Sequence, residues 1–380
     1  MTEKLYEQDA FLPQFEGQVL SCQQGKKGFD VVLNRTAFYP EGGGQPWDTG
    51  TLGGVRVREV HGHDGEIVHT CDGPLEPGTT VAGAIDWGRR FDLMQQHSGE
   101  HIVSGLAHAL WGCENVGFHM GAEVVTIDLS LPLTEEHCAR LEEEANRYIW
   151  RDVPVEITCP SPAELERIQY RSKKELTGRV RIVTFPGADC CACCGTHVRS
   201  AGQVGLVKLL TVQKFREGVR IELVCGNRAL AYLSRALEQN ARVSHLLSAK
   251  VFETGAAVER LLGENEALKS RLAALEETRF AALAEQYAGA GDVLLFEPGL
   301  SPDGLRRLCD AVFHSCGGRC ACFSGDDGAG YKYAVGQQNG DLRGFVKELN
   351  QALSGRGGGK PDFVQGGVQA GRAEIERFFQ

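Results

Sequence analysis

The stretch Arg90–Leu110, RFDLMQQHSGEHIVSGLAHAL, carries the first half of the pattern that decides the interpretation of this chain. It has no proline and its apolar residues recur at helical spacing, which predicts an α-helix. His97 and His101 are four positions apart, so they share one helix face and both imidazoles can bind one ion. Histidine pairs at this spacing also occur on helices that bind no metal, so this pair alone does not identify a metal site.

The second half is the stretch Ala188–Val198, ADCCACCGTHV. Cys193 and His197 repeat the four-residue spacing, and Gly195 between them allows a tight turn. Histidine nitrogens and a cysteine thiolate suit Zn²⁺, which prefers tetrahedral nitrogen and sulfur ligands. The two stretches together therefore predict a site for one Zn²⁺ per chain. Alternatively, the segment is a structural zinc knot or holds thiols without a ligand role, at Cys190, Cys191, Cys193 and Cys194.

Length and composition indicate a multidomain globular protein. A chain of 380 residues with 42% hydrophobic and 24% charged residues predicts two or three domains. The N-terminus is acidic and contains proline, unlike a targeting peptide, and no apolar run approaches the roughly 18 residues of a membrane span. Fourteen cysteines in such a chain indicate a reducing compartment. We therefore expect a cytoplasmic protein with no membrane partner.

The net charge of −10 does not favour a nucleic-acid partner, because neutralising phosphates requires Lys and Arg. Local clusters can still bind RNA, and two are present. The first contains Arg171, Lys173, Lys174, Arg179 and Arg181, and the second contains Lys214, Arg216 and Arg220. Either cluster could equally be an ordinary solvated face.

The pattern along the chain predicts an α+β multidomain fold in four parts. Short alternating segments separated by turns predict a small β-barrel over residues 1–88. Mixed helices and strands over 89–232 predict an α+β domain with the zinc site. Residues 233–288 read as helix, with a heptad that places Val258, Asn265 and Leu272 at a and Leu261, Leu268 and Leu275 at d. That helix is an intramolecular hairpin or a coiled coil between two chains. Residues 289–380 predict an α/β domain.

Taken together, the motifs resemble the long form of the AlaX family, the free-standing alanyl-tRNA editing proteins related to the editing and C-terminal domains of alanyl-tRNA synthetase. The matching segments are FYPEGGGQPWDTG (38–50), HSGEH (97–101), CCGTH (193–197), EGVRIELVCG (217–226) and RGGGKPDFVQGG (356–367). The resemblance covers nearly the whole chain. It implies hydrolysis of the ester that joins a wrong amino acid, chiefly serine with glycine as a second candidate, to alanine tRNA.

The resemblance also implies residue roles. His97, His101, Cys193 and His197 match the zinc ligands, and the ion would activate water or only position the substrate. Gly43, Gly44 and Gln45 match a glycine-rich substrate motif. Thr36 and His119 are further candidates for contact with the amino acid, or are packing residues. The C-terminal domain would bind tRNA and form homodimers, together with the helical segment.

Glu100 departs from this family pattern. With it, residues 97–101 spell HxxEH, a zinc-peptidase motif in which the glutamate is the general base. A peptidase is therefore the second hypothesis, weakened because Cys193 and His197 are foreign to that ligand set. Within the editing hypothesis, we expect Glu100 to be a helix-surface charge rather than a group that orients water. A third hypothesis is a non-catalytic tRNA-binding protein.

Overall fold

The structure is a computed structural model that describes residues 1–172 and 180–380. It divides into two compact units, residues 1–239 and 240–380, each containing helices and sheets. The prediction of a mixed α and β multidomain chain is therefore confirmed. Three members of the first basic cluster, Lys173, Lys174 and Arg179, lie outside the described residues. No helix within the described ranges is long and apolar enough to cross a bilayer.

The first unit contains most of the strands. In chain order its elements are β1 (Glu3–Lys4), α1 (Leu5–Gln8), β2 (Gln14–Gln24), β3 (Phe29–Leu33), β4 (Arg35–Thr36), β5 (Gly50–Leu52), β6 (Val55–His63), β7 (Glu66–Cys71), β8 (Thr80–Ile85), α2 (Trp87–Trp111), β9 (Asn115–Met120), β10 (Val125–Leu129), α3 (Glu135–Trp150), β11 (Glu156–Thr158), α4 (Pro162–Leu165), β12 (Ile182–Phe185), β13 (Asp189–Ala192), a 3₁₀ turn (Ala201–Val204), β14 (Val207–Phe215), β15 (Gly218–Cys225) and α5 (Gly226–Leu246), which continues past residue 239.

Six strands close into a barrel in the order β2-β3-β7-β6-β5-β8. Its interior is filled by side chains that alternate along each strand, among them Val19, Val31, Leu33, Val57 and Val60. The glycine-rich loop, residues 37–49, connects β4 to the barrel strand β5. Arg90, fully buried near the start of α2, pairs with Asp48 at the end of that loop and thereby fixes the loop to the helix.

The helix α2 is the centre of the α+β region. Asp86 caps its N-terminus by accepting from the Arg89 amide, and Gly112 ends it in the left-handed conformation. It packs on a four-stranded sheet of order β14-β15-β10-β9 and on α3. Thr134 caps α3, as the sequence predicts. Because neighbours surround α2, most of its length is buried, including both histidines.

The second unit is built on a five-stranded sheet of order β16-β17-β18-β20-β19. Its elements are α6 (Thr254–Gln286), β16 (Gly291–Phe296), α7 (Pro302–Cys316), β17 (Gly317–Asp326), β18 (Gly330–Gln337), α8 (Arg343–Ala352), β19 (Arg356–Gly359), β20 (Phe363–Val368) and α9 (Arg372–Phe378). One face of the sheet packs in a core with α6 and α7 and the other in a core with α8 and α9.

Two features of the second half were not specified by the sequence prediction. The helical stretch is interrupted at residues 247–253, where Ser248 takes a left-handed conformation and Asn240 donates to the Val251 carbonyl. The Gly-rich segment forms two paired strands, β19 and β20. Its glycines are required there, since a Cβ on Gly357 would lie 2.2 Å from the Tyr333 hydroxyl.

Candidate metal centre

Four side chains from two separate segments converge in the first unit. His97 and His101 lie one turn apart on α2, and Cys193 and His197 lie in the loop after β13. One donor atom from each lies within 4.8 Å of all the others. The Sγ of Cys193 is 3.5 Å from the Nε2 of His97. The three imidazoles are buried and Cys193 is half-buried, so the cluster is closed except at the thiol.

Gln45 orients His97. Its Oε1 accepts from the His97 Nδ1 at 2.9 Å and from the Thr196 amide at 3.0 Å, while its Nε2 donates to the Thr196 hydroxyl at 2.8 Å. Because the Oε1 can only accept, the proton of the His97 ring is on Nδ1 and the lone pair is on Nε2. The glycine-rich loop therefore fixes the face that His97 presents to the cluster.

Asp189 orients His101 in the same way. Its Oδ2 accepts from the His101 Nδ1 at 2.7 Å, and both carboxylate oxygens also accept from Arg171, at 2.7 and 2.8 Å. Arg181 donates to the Cys193 and Gly195 carbonyls and so fixes the loop. Two arginines of the first basic cluster thus support this site. In the second cluster, Arg220 pairs with Asp128.

The cluster has the signature of a metal site. The His101 Nε2 and both ring nitrogens of His197 are buried without a hydrogen-bond partner, although buried polar atoms normally have one. A cation at the centre would satisfy the lone pairs of His101 Nε2 and of one His197 nitrogen. Outer-shell partners such as Gln45 and Asp189 are what metal-binding histidines use. Three imidazoles and one thiol match the donor preferences of zinc. The residues present therefore fit the predicted ion.

Without an ion, the surroundings favour the metal-binding forms of Cys193 and His197 but not that of His101. Burial opposes ionisation of Cys193, but the neighbouring His97 and His197 overcome it and hold the pKa of the thiol well below its usual range. Burial lowers the pKa of His197 to about 3, so that ring is neutral at pH 7. Burial also disfavours the charged form of His101, yet Asp189 and Cys193 raise the pKa of that imidazole well above its ordinary value.

The walls of the cluster are tightly packed. Phe118 of β9 stacks on the His97 ring, with centroids 5.3 Å apart, and Phe185 stacks on His101 at 5.7 Å. A Cβ on Gly195 would lie 2.2 Å from the Cε1 of His97. A Cβ on Gly44 would lie 2.6 Å from the Phe118 ring. Both glycines are therefore needed for the close approach of loop and site.

The remaining predicted substrate contacts have different positions. Gly43 lies at the exposed tip of the loop, with a φ of 59° and open space beside it. Thr36 is fully buried, and its hydroxyl bonds the Nε2 of His69 at 2.9 Å and accepts from the Phe38 amide. His119 is exposed on β9. Successive strand residues point to opposite faces, so His119 points away from the face on which Phe118 contacts His97.

The expectation that Glu100 is a surface charge is wrong. Its side chain is buried, and its carboxylate accepts from the Ser104 hydroxyl at 2.8 Å and from the Asn115 amide. Helical periodicity places Glu100 on an exposed face, but α2 is packed on several faces and β9 covers this position. The carboxylate thus joins a buried hydrogen-bonded group that links α2 to that strand.

Two cavities border residues 189–194, which include Cys193. One, of about 740 Å³, is bordered by Lys4, Glu7, Arg181 and the exposed Cys194. Another, of about 520 Å³, is bordered by Arg171, Asp189 and Cys190. The sequence reasoning did not identify Asp189, Phe118 or the orienting role of Gln45. The only signal for Asp189 was an acid directly before a cysteine run.

Comparison with known proteins identifies the family of this chain. The family "tRNA synthetases class II (A)" matches residues 6–89, and "Threonyl and Alanyl tRNA synthetase second additional domain" matches residues 180–222. Alanyl-tRNA editing protein Aarsd1-B of Xenopus laevis is 30% identical over 98% of this chain and 96% of its own. AlaX-L of Pyrococcus horikoshii is 26% identical over 99% and 96%. Alanine–tRNA ligase of Methanoregula boonei is 31% identical over 96% of this chain but 41% of its own. The chain therefore belongs to the alanyl-tRNA editing proteins.

Proposed function

We propose that this chain is a trans-editing deacylase that hydrolyses the ester between a wrong amino acid, chiefly serine, and alanine tRNA. The observation that carries the proposal is the buried donor quartet with its unpartnered imidazole nitrogens, in a chain similar over its length to alanyl-tRNA editing proteins. The four residues would hold one Zn²⁺, which when bound polarises the ester carbonyl or lowers the pKa of a water molecule.

The protein's own residues would position the metal-binding side chains and exclude water from the site. Gln45 and Asp189 each fix one ligand imidazole, so the site needs little reorganisation when substrate arrives. Phe118 and Phe185 keep water from two sides of the cluster. The cavity bordered by Arg181 and by Cys194, the residue that follows Cys193 in the chain, is our proposed entry for the aminoacyl end of the tRNA.

Selection of serine follows from a general limit on recognition. A pocket built for alanine rejects serine poorly, because serine only adds a hydroxyl. An editing site with a polar group for that hydroxyl spares alanine, since alanine would leave the group unpaired. Thr36, Gly43 and Gly44 remain our proposed contacts with the aminoacyl end, whereas the His119 side chain points away from the face of β9 that meets His97. Glu100 is proposed to hold α2 and β9 together rather than to act as a general base, because Ser104 and Asn115 already bond it.

The second unit is proposed to bind the tRNA body and to pair two chains. Strand β19 is exposed along its length and is flanked by Arg356 and Lys360, which suit phosphate contacts. The predicted d positions of α6, Leu261, Leu268 and Leu275, are more than half exposed. An apolar stripe of this kind is what a second copy of the helix would cover.

The test is a deacylation time course with seryl- and alanyl-tRNA, both on alanine tRNA. Wild type should release serine rapidly and spare alanine, and Cys193→Ala should abolish serine release. Cys190→Ser, a change at a nearby thiol outside the quartet, is the matched control and should retain activity. A zinc-loaded protein that hydrolyses neither ester would contradict the proposal and favour tRNA binding without chemistry.

A further inference from the structure

Three thiols meet in the core of the second unit. Cys309 lies on α7, and Cys320 and Cys322 lie on β17. All three side chains are fully buried, and their Sγ atoms lie within 4.8 Å of one another. The Sγ atoms of Cys320 and Cys322 are 3.5 Å apart. This thiol triad is remote in sequence from the zinc quartet and has no role in the editing reaction described above.

The fold holds the triad in place. Cys320 and Cys322 are two positions apart on a strand, so both face the same side of the sheet, where α7 packs. Cys309 of α7 faces these two residues, and its thiol donates to the Cys320 carbonyl at 3.5 Å. The surroundings are apolar, with Val293, Leu295, Leu308 and Val312 in the same core.

The geometry suits a three-coordinate ion. A point at the centre of a triangle with edges of at most 4.8 Å lies about 2.8 Å or less from each corner, against ~2.3 Å for a zinc–thiolate bond. Small side-chain rotations would close that gap. Structural zinc sites need a fourth ligand, and no His, Asp or Glu of the described residues joins the three thiols. The donor set therefore selects a soft ion that is satisfied by three sulfurs.

The charge of the complex also limits which ion the three thiols can bind. Burying uncompensated charge in an apolar core is costly. Three thiolates around a monovalent or divalent ion leave a net negative charge, whereas a trivalent ion gives a neutral complex. Burial raises the pKa of the Cys309 thiol well above its usual range, whereas hydrogen bonds from Cys309 and Cys322 lower the pKa of Cys320 to about 5. The resting site therefore carries one negative charge among the three sulfurs. A trivalent ion that binds all three sulfurs as thiolates removes that charge from the core and is the best match.

We propose that Cys309, Cys320 and Cys322 form a second, sulfur-only site for a soft trivalent ion, represented by trivalent arsenic. Arsenous acid, As(OH)₃, would condense with the three thiols. Three As–S bonds form and three As–O bonds break. Each released hydroxide leaves as water, with the proton of Cys309 or Cys322 or, for the Cys320 thiolate, with a proton from solvent. The oxidation state of arsenic does not change, and the product in the core is neutral. The product ties α7 to β17 and should stabilise the second unit.

The test uses the full-length, reduced, zinc-loaded protein incubated with arsenite. Native intact-mass spectrometry should show one arsenic in place of three hydrogens, with zinc retained. Cys309→Ala and Cys322→Ala should lose this adduct. Cys316→Ala is the matched control, because Cys316 is buried on the same helix and in the same core but lies outside the triad. It should retain the adduct.

A second measurement keeps the test decisive if a core variant fails to fold. In the arsenite-treated wild type, Cys309, Cys320 and Cys322 should together be protected from alkylation after unfolding. Absence of arsenic would overturn the proposal, as would protection that maps to residues 190–194 instead. Stoichiometric Cu(I) binding without arsenic binding would overturn the choice of a trivalent ion.

Discussion

The Nδ1 atom of His101 lies 2.7 Å from a carboxylate oxygen of Asp189, a residue 88 positions further along the chain. Asp189 is in turn held by both donors of the Arg171 fork. The ring of His101 thus cannot rotate without breaking a buried, charge-assisted hydrogen bond. Its remaining nitrogen, Nε2, is thereby kept at the donor quartet.

Replacing Asp189 with asparagine tests this arrangement. The side chain keeps its size but loses the charge that orients His101 and balances Arg171. We expect zinc affinity to fall by roughly 10–100-fold, as for other outer-shell changes. Titration against a chromophoric zinc chelator measures the loss. Glu114→Gln, which removes a carboxylate that pairs with the exposed His108, is the control and should leave affinity unchanged. Unchanged affinity in Asp189→Asn would refute an orienting role.

Replacing Gln45 with alanine should leave two buried donors, the His97 Nδ1–H and the Thr196 amide, without their acceptor. Each unpaired group costs about 1–3 kcal/mol. We expect a lower urea midpoint for the first unit and weaker zinc binding together. Gln45→Glu, which keeps an acceptor for both donors, should recover most of the zinc affinity. If Gln45→Ala changes neither property, the contact is not important.

Gly195→Ala tests how closely the loop approaches the helix. The added methyl would lie 2.2 Å from His97 and 2.9 Å from the Gln45 Oε1, so His97 must move. We expect loss of bound zinc and of deacylation, measured by metal analysis and the serine-release assay. Gly62→Ala is the control, since its Cβ would meet Ile67 and Pro40 at 3.8 and 4.0 Å, ordinary contact distances. Full activity in Gly195→Ala would contradict the packing described.

His69 predicts an acid-sensitive barrel. The ring is fully buried between the Thr36 hydroxyl and the Val31 carbonyl, and burial lowers its pKa to about 4. In the unfolded chain His69 is protonated below about pH 6.5, whereas in the folded barrel it is protonated only below about pH 4. Stability should therefore fall by about 3 kcal/mol as the pH drops through this window.

Urea unfolding of the zinc-free Cys193→Ala protein between pH 7 and 4 measures this loss without interference from metal release. His69→Gln should flatten the dependence. His63→Gln, which changes an exposed histidine of the same barrel, should not. A profile that is the same in His69→Gln and in the parent would rule out His69 as the source.

The α6 stripe predicts self-association. Leu268→Glu and Leu275→Glu place charges at two positions that are 66% and 63% exposed in the single chain. The folded chain should tolerate both changes, whereas a paired helix would not. Sedimentation should show a concentration-dependent dimer for wild type and a monomer for the double variant. Ser270→Glu, an exposed change at heptad position f on the opposite side of the helix from the stripe, is the control.

The sequence predicted the ligand quartet because spacing and residue type carry that information directly. His97 and His101 share a helix face by geometry alone, and the Cys193–His197 loop repeats their spacing. The strands of the first unit and the capped helix α3 were also predictable, since alternation and capping are local. The coarse α and β composition of both halves followed from the same local patterns.

What the sequence did not reveal depends on contacts between distant segments. Asp189 and Gln45 became visible as orienting residues only once the fold placed them against α2. The burial of Glu100 depends on β9, which helical periodicity cannot show. The pairing of β19 with β20 was hidden because glycine disfavours strands, and only the close approach of Tyr333 explains why glycine is needed there.

The two ligand pairs are drawn from segments 96 positions apart, with β9 to β13 and α3 between them. An ion bound by both pairs is a removable cross-link across that whole stretch. Closing a loop of this length lowers the conformational entropy of the unfolded chain by an amount worth about 4–5 kcal/mol when the link is permanent. Zinc supply would then set not only the activity of the site but also how long the intervening region survives proteolysis in its folded form.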